Sequence, residues 1–411
     1  MSGTAAVQRW LAGPRRGDDF PYGPVVAEIQ HRGKHFLSAV LLDALRQARS
    51  ASGSVVGDVR PVLRFLNIVL DKADGRYDYR TYLALDLLPM PGVDDGDLVA
   101  DAAAAQRCRD RLVVALIADL LRFEDACLND GQPMPQRRPG RTLAAKRIHL
   151  GWRVLHPSMV RLGLAEGLAD DVLDVARLWE AVEAELDEQE RRAVALSMQP
   201  VARVHDEYLF LRVLQAWETT FALVAVDLSA VTELLRAGHA VHGVARLEAA
   251  TAAMKEAAPL FSLLATMQVD AFHDFRRFTE GASAIQSYHY KLVESLCRRP
   301  ELARLGSVAY EAVPSVRVRS LAGQPTVQSE FTALETALPT EVAAHLKRAM
   351  ASFAAAMTGW RRTHYSLALR MLGANTAGTG ATSGTAYLKQ VKDIPVFNAS
   401  SRRREAPRDG R

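Results

Sequence analysis

Apolar residues recur at intervals of three and four over long windows of this chain, and the β-branched alternation of a half-buried strand is scarce. A three-four period places one apolar stripe along each helix, and such stripes are buried helix against helix. The expected fold class is therefore all-α, a multi-helix bundle with few strands. Helices are expected over residues 24–49, 59–72, 101–127, 168–197, 206–237, 241–267, 284–297, 340–373 and 384–392. Breakers separate them: "ADGRYD" near residue 75, "PMPGVDDGD" at 89–97, "NDGQPMPQRRPGR" at 129–141 and "GANTAGTGATSGT" at 373–385. The third of these, rich in proline, glycine and arginine, is expected to be a surface linker or exposed loop.

With 411 residues and 49% hydrophobic content, the chain is long enough to bury a large core, as one large domain or two ordinary ones. No charge-free run of about 18 apolar residues appears, and "MSGTAAVQRWLAGPRRGDD" lacks the basic start, apolar centre and small-residue cleavage site of a signal peptide. The expected location is cytoplasmic, with no membrane as partner. The formal net charge is +4, with much of the excess in the tail "SRRREAPRDGR". No helix-turn-helix, zinc-finger or RNA-binding pattern accompanies it, so no nucleic acid is expected either. Cys108, Cys127 and Cys297 stand far apart without CxxC spacing, which fits buried thiols better than disulfides or thiolate zinc. "VLDVARLWEAVEAELDEQERRAVAL" reads as a charged surface helix packed by one stripe.

Every unusual local pattern lies beyond about residue 205. "HDEYLFLRVLQAWETTF", from His205, opens with acidic residues suited to the positive end of a helix. "LFSLLATMQVDAFHDFRRF" ends a helix, breaks, and delivers Phe272, Phe275 and Arg276 to one local face. "FRRFTEGASAIQSYHYKLVES", at 275–295, sets an arginine beside a small-residue turn, with His273 and His289 flanking it. In "WRRTHYSLALRMLGANTAGTGATSGTAYLK", at 360–389, His364 shares an apolar helix face with Leu367, Ala368 and Met371, so its imidazole needs a partner. The Gly- and Thr-rich loop after it has the composition of a phosphate loop but lacks GKS or GKT and follows a helix. His31 and His35, in "HRGKH", have helical spacing but no third ligand nearby.

In order and spacing these stretches resemble the tryptophan 2,3-dioxygenase family, haem proteins that open the indole ring with O2. The family pattern "HDE.LF" is met by "HDEYLF" at 205–210, "TM....F..FR" by "TMQVDAFHDFR" at 266–276, and "ASGFQS.Q(Y/F)R..E" by "ASAIQSYHYKLVE" at 282–294. "W...H.....R..G" is met by "WRRTHYSLALRMLG" at 360–373, and "GTGGSSG...L" by "GTGATSGTAYL" at 378–388. A fainter similarity links "YDYRTYLALDLL" at 77–88 to the family's N-terminal "Y..YL.L..LL".

The resemblance implies a haem b pocket inside the helical bundle, with O2 as co-substrate and an aromatic amino acid as substrate. His364 is then the axial ligand of the haem iron, and Arg276 pairs with the substrate carboxylate. Ser283, near the bound gas and haem edge, is the expected catalytic contact, and Ala284 lies beside it in the haem-facing turn. Thr379 contacts the substrate's amino and carboxylate groups, while Phe210 and Phe272 wall the aromatic ring.

Several positions depart from the pattern. Leu214 stands where tryptophan dioxygenases usually place a distal histidine, Phe272 where the family often has Tyr, and Ala284 where it has Gly. The implied reaction is O2 insertion at the indole C2–C3 bond of L-tryptophan or a substituted tryptophan, giving an N-formylkynurenine-type product. The alternatives are a haem-dependent hydroxylase of an aromatic amino acid in a biosynthetic pathway, or a non-catalytic haem-binding protein. The organisation expected with this reading is an N-terminal helical region over 1–204, with an atypical insertion at about 89–204, a haem-binding core over 205–395 and a basic tail over 396–411. A homo-oligomer is expected, as is common among the related enzymes.

Overall fold

The computed structural model describes residues 2–94, 97–98, 101–129, 134–166, 174–374, 378 and 383–398. It is all-α. The only strand pairing other than isolated bridges among the described residues is a two-residue ladder of Val93–Asp94 with Asp97–Leu98. Two apolar cores form. The smaller is closed by α1 (Gly3–Ala12), α2 (Tyr22–Arg32), α3 (Ala39–Ser50) and α4 (Arg60–Val69), around edge-to-face contacts among Trp10, Phe20, Tyr22 and Phe65. The helix expected over 24–49 is interrupted here. Gly33 sits at φ 84°, a conformation that L side chains rarely adopt, and a Cβ there would lie 2.6 Å from the Val201 carbonyl oxygen. The next residue, Lys34, turns inward, and its ammonium bonds the Ile68 carbonyl at 3.1 Å and Asp71 at 2.9 Å.

A single turn, α5 (Tyr79–Tyr82), leads into the larger core. Its first layer contains α6 (Ala102–Ala126), α7 (Arg141–Leu162), α8 (Val175–Glu185) and α9 (Glu188–Leu196), and its centre is α10 (His205–Arg236). Against α10 pack α6, α11 (Ala240–Glu256) and α14 (Tyr288–Cys297), while α7 backs α6. α12 (Pro259–Leu264) and α13 (Val269–Arg276) join α11 to the turn before α14. Four short helices follow: α15 (Leu302–Leu305), α16 (Val308–Glu311), α17 (Pro314–Leu321) and α18 (Val327–Leu334). The long α19 (Thr340–Leu372) lies on α11, and α20 (Thr385–Val391) folds back on α19. By length and composition α10 could cross a membrane, but 89% of its most apolar window is buried inside the protein. It is a core helix. The larger core runs across residues 204 and 205 without a division.

Several expected helices are divided or moved, each for a local reason. Of the helix expected over 168–197, residues 168–173 lie outside the described residues and the rest gives α8 and α9, because Leu186 is extended and Asp187 starts a new helix through a reciprocal capping box with Glu190. The 241–267 helix splits at Pro259, which occupies the first turn of α12. Residues 284–286 form one 3-10 turn, and α14 begins only at Tyr288. α7 has no counterpart among the expected helices. Gly151 and Pro157 lie inside it, and Gly151 faces Leu121 of α6 so closely that a Cβ would collide. The linker expected at 129–141 is docked over its described part. Met134 is fully buried, the Gln136 amide donates to the Arg203 carbonyl at 3.2 Å, and the His205 amide donates to the Gln136 carbonyl at 2.8 Å.

The opening of α10 is pinned by buried charge. Arg147 of α7 donates to Glu124 at 3.0 Å and to Asp206 at 2.8 Å, with all three side chains out of contact with solvent. Asp206 also accepts the Gln268 amide at 2.6 Å. Glu207 accepts the amides of Val201 at 2.7 Å and Ala202 at 2.9 Å, and the Tyr82 hydroxyl at 3.3 Å. Burial outweighs these donors and pushes its carboxyl up to about 8. Removing one partner of such a network leaves the others desolvated and unpaired. Arg147→Met is expected to lower stability by about 3–5 kcal/mol, read as a shift in the denaturant midpoint at unchanged slope.

Candidate active site

One deep cavity opens between α5, α10, α13, the turn at 279–286, α19 and α20. Counting the part open to solvent, it holds about 1680 Å3. α10 contributes Phe210, Leu214, Trp217, Glu218 and Phe221, which follow one another at helical spacing and so form a single stripe. α19 contributes Trp360, Arg361, His364, Leu367, Ala368 and Met371 on the same principle. Aromatic rings make most of the contact between walls. Phe210 lies 6.0 Å from Phe272 and 5.4 Å from Phe275, while Trp360 meets Trp217 at 5.6 Å and Phe221 at 5.3 Å.

His364 is screened from bulk water, and the accessible surface that its ring retains lines the cavity. The ring lies 5.1 Å from that of Trp360. Among the described residues neither nitrogen has a hydrogen-bond partner, so the partner that its apolar face demanded is not supplied by them. Burial depresses its pKa to about 4, and the imidazole is therefore neutral, with one nitrogen lone pair available. Arg276 ends α13 and lines the same cavity; burial lowers its pKa, yet a guanidinium stays cationic.

Ser283 and Ala284 reach the cavity from the turn. Glu280 there adopts φ 46°, and a Cβ on Gly281 would lie 2.8 Å from the Tyr77 carbonyl oxygen. Gly281 is thus required by the close approach of the Tyr77 backbone, and the alanines and serine that follow present small side chains to the cavity. Gln286 ties the turn down, its Oε1 accepting the amides of Ser283 at 3.2 Å and Tyr79 at 2.9 Å. Thr379 lies outside the described residues, as do residues 399–411 of the tail. Phe210, Phe272, Leu214, Arg276, Ser283, Ala284 and His364 all line the one cavity.

Sequence reasoning missed two charged groups on its walls. At one end, Glu294 is bonded by Lys291 at 2.7 Å, Arg304 at 2.7 Å and Arg361 at 3.0 Å, and all three cations also line the cavity. Burial opposes ionisation of Glu294, but the three cations outweigh it and hold the carboxyl well below the usual range. Burial likewise presses Lys291 down to about 8. Three cations to one carboxylate leave this end positive. Arg361 further bonds the Tyr290 hydroxyl at 2.8 Å and the Ile394 carbonyl at 2.6 Å, which fastens the segment after α20.

On another wall, Glu218 accepts from Tyr79 Oη at 3.2 Å and lies 3.2 Å from His289 Nδ1. Burial, followed by the charge of Glu218, pushes the Tyr79 phenol well up, so it remains a donor. His289 is thus engaged with Glu218. His35 packs against Phe36 and Phe278, and no cluster of three potential metal-ligating side chains occurs among the described residues. Of the cysteines, Cys127 and Cys297 are buried and Cys108 partly so.

Fold and cavity together define a class: an all-α bundle built around a deep, aromatic-walled pocket with an uncharged imidazole and an arginine on its walls. The family model for tryptophan 2,3-dioxygenase matches residues 184–309. The chain is 33% identical over 109 residues to the tryptophan 2,3-dioxygenase of Xenopus laevis, a stretch covering 25% of this chain and 27% of that protein. It is 25% identical over 234 residues to that of Anaeromyxobacter dehalogenans (strain 2CP-C), covering 49% of this chain and 87% of the relative. To that of Bacillus anthracis it is 26% identical over 228 residues, covering 47% and 81%. The chain thus spans about a quarter of the length of the vertebrate relative and most of that of the bacterial ones. Over these stretches the chain is similar to the tryptophan 2,3-dioxygenase family.

The Glu294 cluster has a pH signature. Its folded-state value lies below the unfolded value of 4.5, so the ionised carboxyl contributes stability above that pH and loses it as the pH falls through the carboxylate range. Glu294→Gln is expected to remove that component and to lower stability at pH 7 by about 3–5 kcal/mol, because three buried cations lose their counter-charge. Denaturation midpoints of both proteins between pH 3 and pH 7 check this.

Proposed function

We propose that the chain is a haem-dependent oxygenase acting on L-tryptophan or a ring-substituted tryptophan, adding both atoms of O2 across the indole C2–C3 bond. The observation that carries this reading is His364: a half-buried, uncharged imidazole without a hydrogen-bond partner among the described residues, lining an aromatic cavity that also contains Arg276. Those are the properties of an axial ligand. The remaining walls fit the group as well. Ala282, Ser283 and Ala284 are small, Trp217, Phe221 and Trp360 are flat, and Lys291 and Arg304 match the carboxylates of a porphyrin in charge.

Haem bound there would supply the chemistry with O2. The protein's own part is positioning. Arg276 docks the amino acid's carboxylate, as the planar fork of a guanidinium suits. Phe210, Phe272 and Phe275 grip the ring, and the apolar walls keep water out. Fixing reactants in this way is worth up to about 7–11 kcal/mol of barrier. Leu214 lines the cavity with neither donor nor acceptor, so no proton passes through that position.

Full-length protein loaded with haem is expected to show a Soret band that shifts with CO after reduction, and His364→Ala to lose it; an unchanged spectrum in that variant overturns the ligand assignment. Arg276→Leu is expected to weaken L-tryptophan binding by roughly 2–5 kcal/mol while leaving indole binding unaltered, as measured by calorimetry. Mass analysis of the tryptophan product distinguishes the reactions: two added oxygen atoms support the dioxygenase, and one indicates a hydroxylase.

A further inference from the structure

Glu218 is buried, has no guanidinium or ammonium partner among the described residues, and stands one helical turn beyond Leu214 on the stripe that α10 gives to the cavity. Each of its oxygens has one neighbour. Tyr79 Oη donates to one at 3.2 Å, and His289 Nδ1 lies 3.2 Å from the other. Tyr79 itself lines the cavity, whereas His289 backs Glu218 from α14. The other charges nearby are committed elsewhere: Lys291, Arg304 and Arg361 pair with Glu294. The sequence also departs from the family pattern here, since His289 occupies the position of the Gln in "ASGFQS.Q".

We infer that Tyr79, Glu218 and His289 form a hydrogen-bond relay that recognises a donor on the aromatic ring of the substrate, an indole N–H or a phenolic O–H. The inference rests on the reading of the cavity as an amino-acid site. A phenol that donates to a carboxylate has a more basic oxygen, and that oxygen still has lone pairs with which to accept. The ring's donor fills that place. Should its proton leave, it bonds to the Tyr79 oxygen as the Tyr79 proton passes to Glu218, so the net charge of the wall and ligand together is unchanged. Glu218 is desolvated, and Tyr79 and His289 supply the hydrogen-bond partners that its buried oxygens require. His289 acts through Glu218 and is a positioning residue. The relay supplies, one turn along α10, the polar contact that Leu214 cannot make.

The test is a ratio of affinities in the full haem-loaded chain, measured by calorimetry for L-tryptophan against 1-methyl-L-tryptophan and for L-tyrosine against O-methyl-L-tyrosine. Methylation removes the ring donor and leaves the carboxylate and ring in place. For at least one pair the native protein is expected to prefer the donor by about ten- to hundredfold, the range of a hydrogen bond to a charged system. Tyr79→Phe, which keeps the ring, is expected to bring that ratio to within about twofold of unity while the methylated analogue binds nearly as before. Glu218→Gln reads the same wall independently and is expected to lower the ratio. Damage to the fold weakens both members of a pair and leaves the ratio alone. A native ratio near unity, or an unchanged ratio in both variants, overturns the relay and leaves the amino-acid site standing. Native protein that binds none of the four compounds overturns the site reading and the relay with it.

Discussion

The rotation of α10 about its own axis is the constraint on which the cavity depends. Five side chains reach the cavity from one stripe of this helix, and each residue of misrotation swings that stripe by about 100°. Apolar packing alone does not fix such an angle sharply, because hydrophobic surfaces of similar volume repack at a cost below about 1.5 kcal/mol. Directional buried hydrogen bonds do. Asp206 is bonded by Arg147 and the Gln268 amide, Glu207 by two backbone amides, and Arg212 by Asp119 at 2.6 Å. On a regular helix these three positions point roughly 100–140° apart. Together they hold α10 from three sides, so that any rotation breaks at least one buried pair.

The same economy of buried charge shapes the cavity wall. Glu294 is satisfied by three cations, and the two walls it joins, α14 and α19, are thereby locked with a positive surplus facing inward. Arg276 adds a further positive group from α13. Between these poles the lining is almost wholly aromatic and aliphatic. Such a surface selects molecules with a flat apolar body and carboxylates at the edge, a description that suits a porphyrin and an aromatic amino acid alike. Glu218, bonded to Tyr79, is the acidic side chain in that lining.

Sequence periodicity was sufficient where a helix stands alone between strong signals. The expected 101–127 and 206–237 differ from α6 and α10 by a residue at each end. It failed where tertiary contact decided. α7 lies outside every expected helix, and the closeness of Gly151 to Leu121 that seats it on α6 is invisible in a linear pattern. Residues 129–141 read as a linker because the backbone bonds that dock Gln136 on Arg203 and His205 connect positions nearly seventy apart. At the site, the seven described residues named from motif resemblance do share one cavity, whereas Lys291, Arg304, Arg361 and Glu218 escaped notice. Charged residues on helices read by default as solvated, and only burial reveals them as paired.

That contrast explains what motif resemblance can and cannot convey about a chain such as this. His205, Asp206 and Glu207 look like a functional signature, yet they lie outside the cavity lining and belong to the frame that orients α10. A change at Asp206 or Glu207 strands buried partners at a cost of several kcal/mol, so these positions tolerate substitution poorly. Leu214 is different. It faces open space, and a change there removes no partner and leaves no buried charge alone. Positions of that kind are free to follow the substrate. A pattern dominated by frame residues therefore identifies the fold with high specificity while remaining nearly silent about the ligand, and the substrate must be read instead from the few polar atoms that face the cavity without being needed to build it.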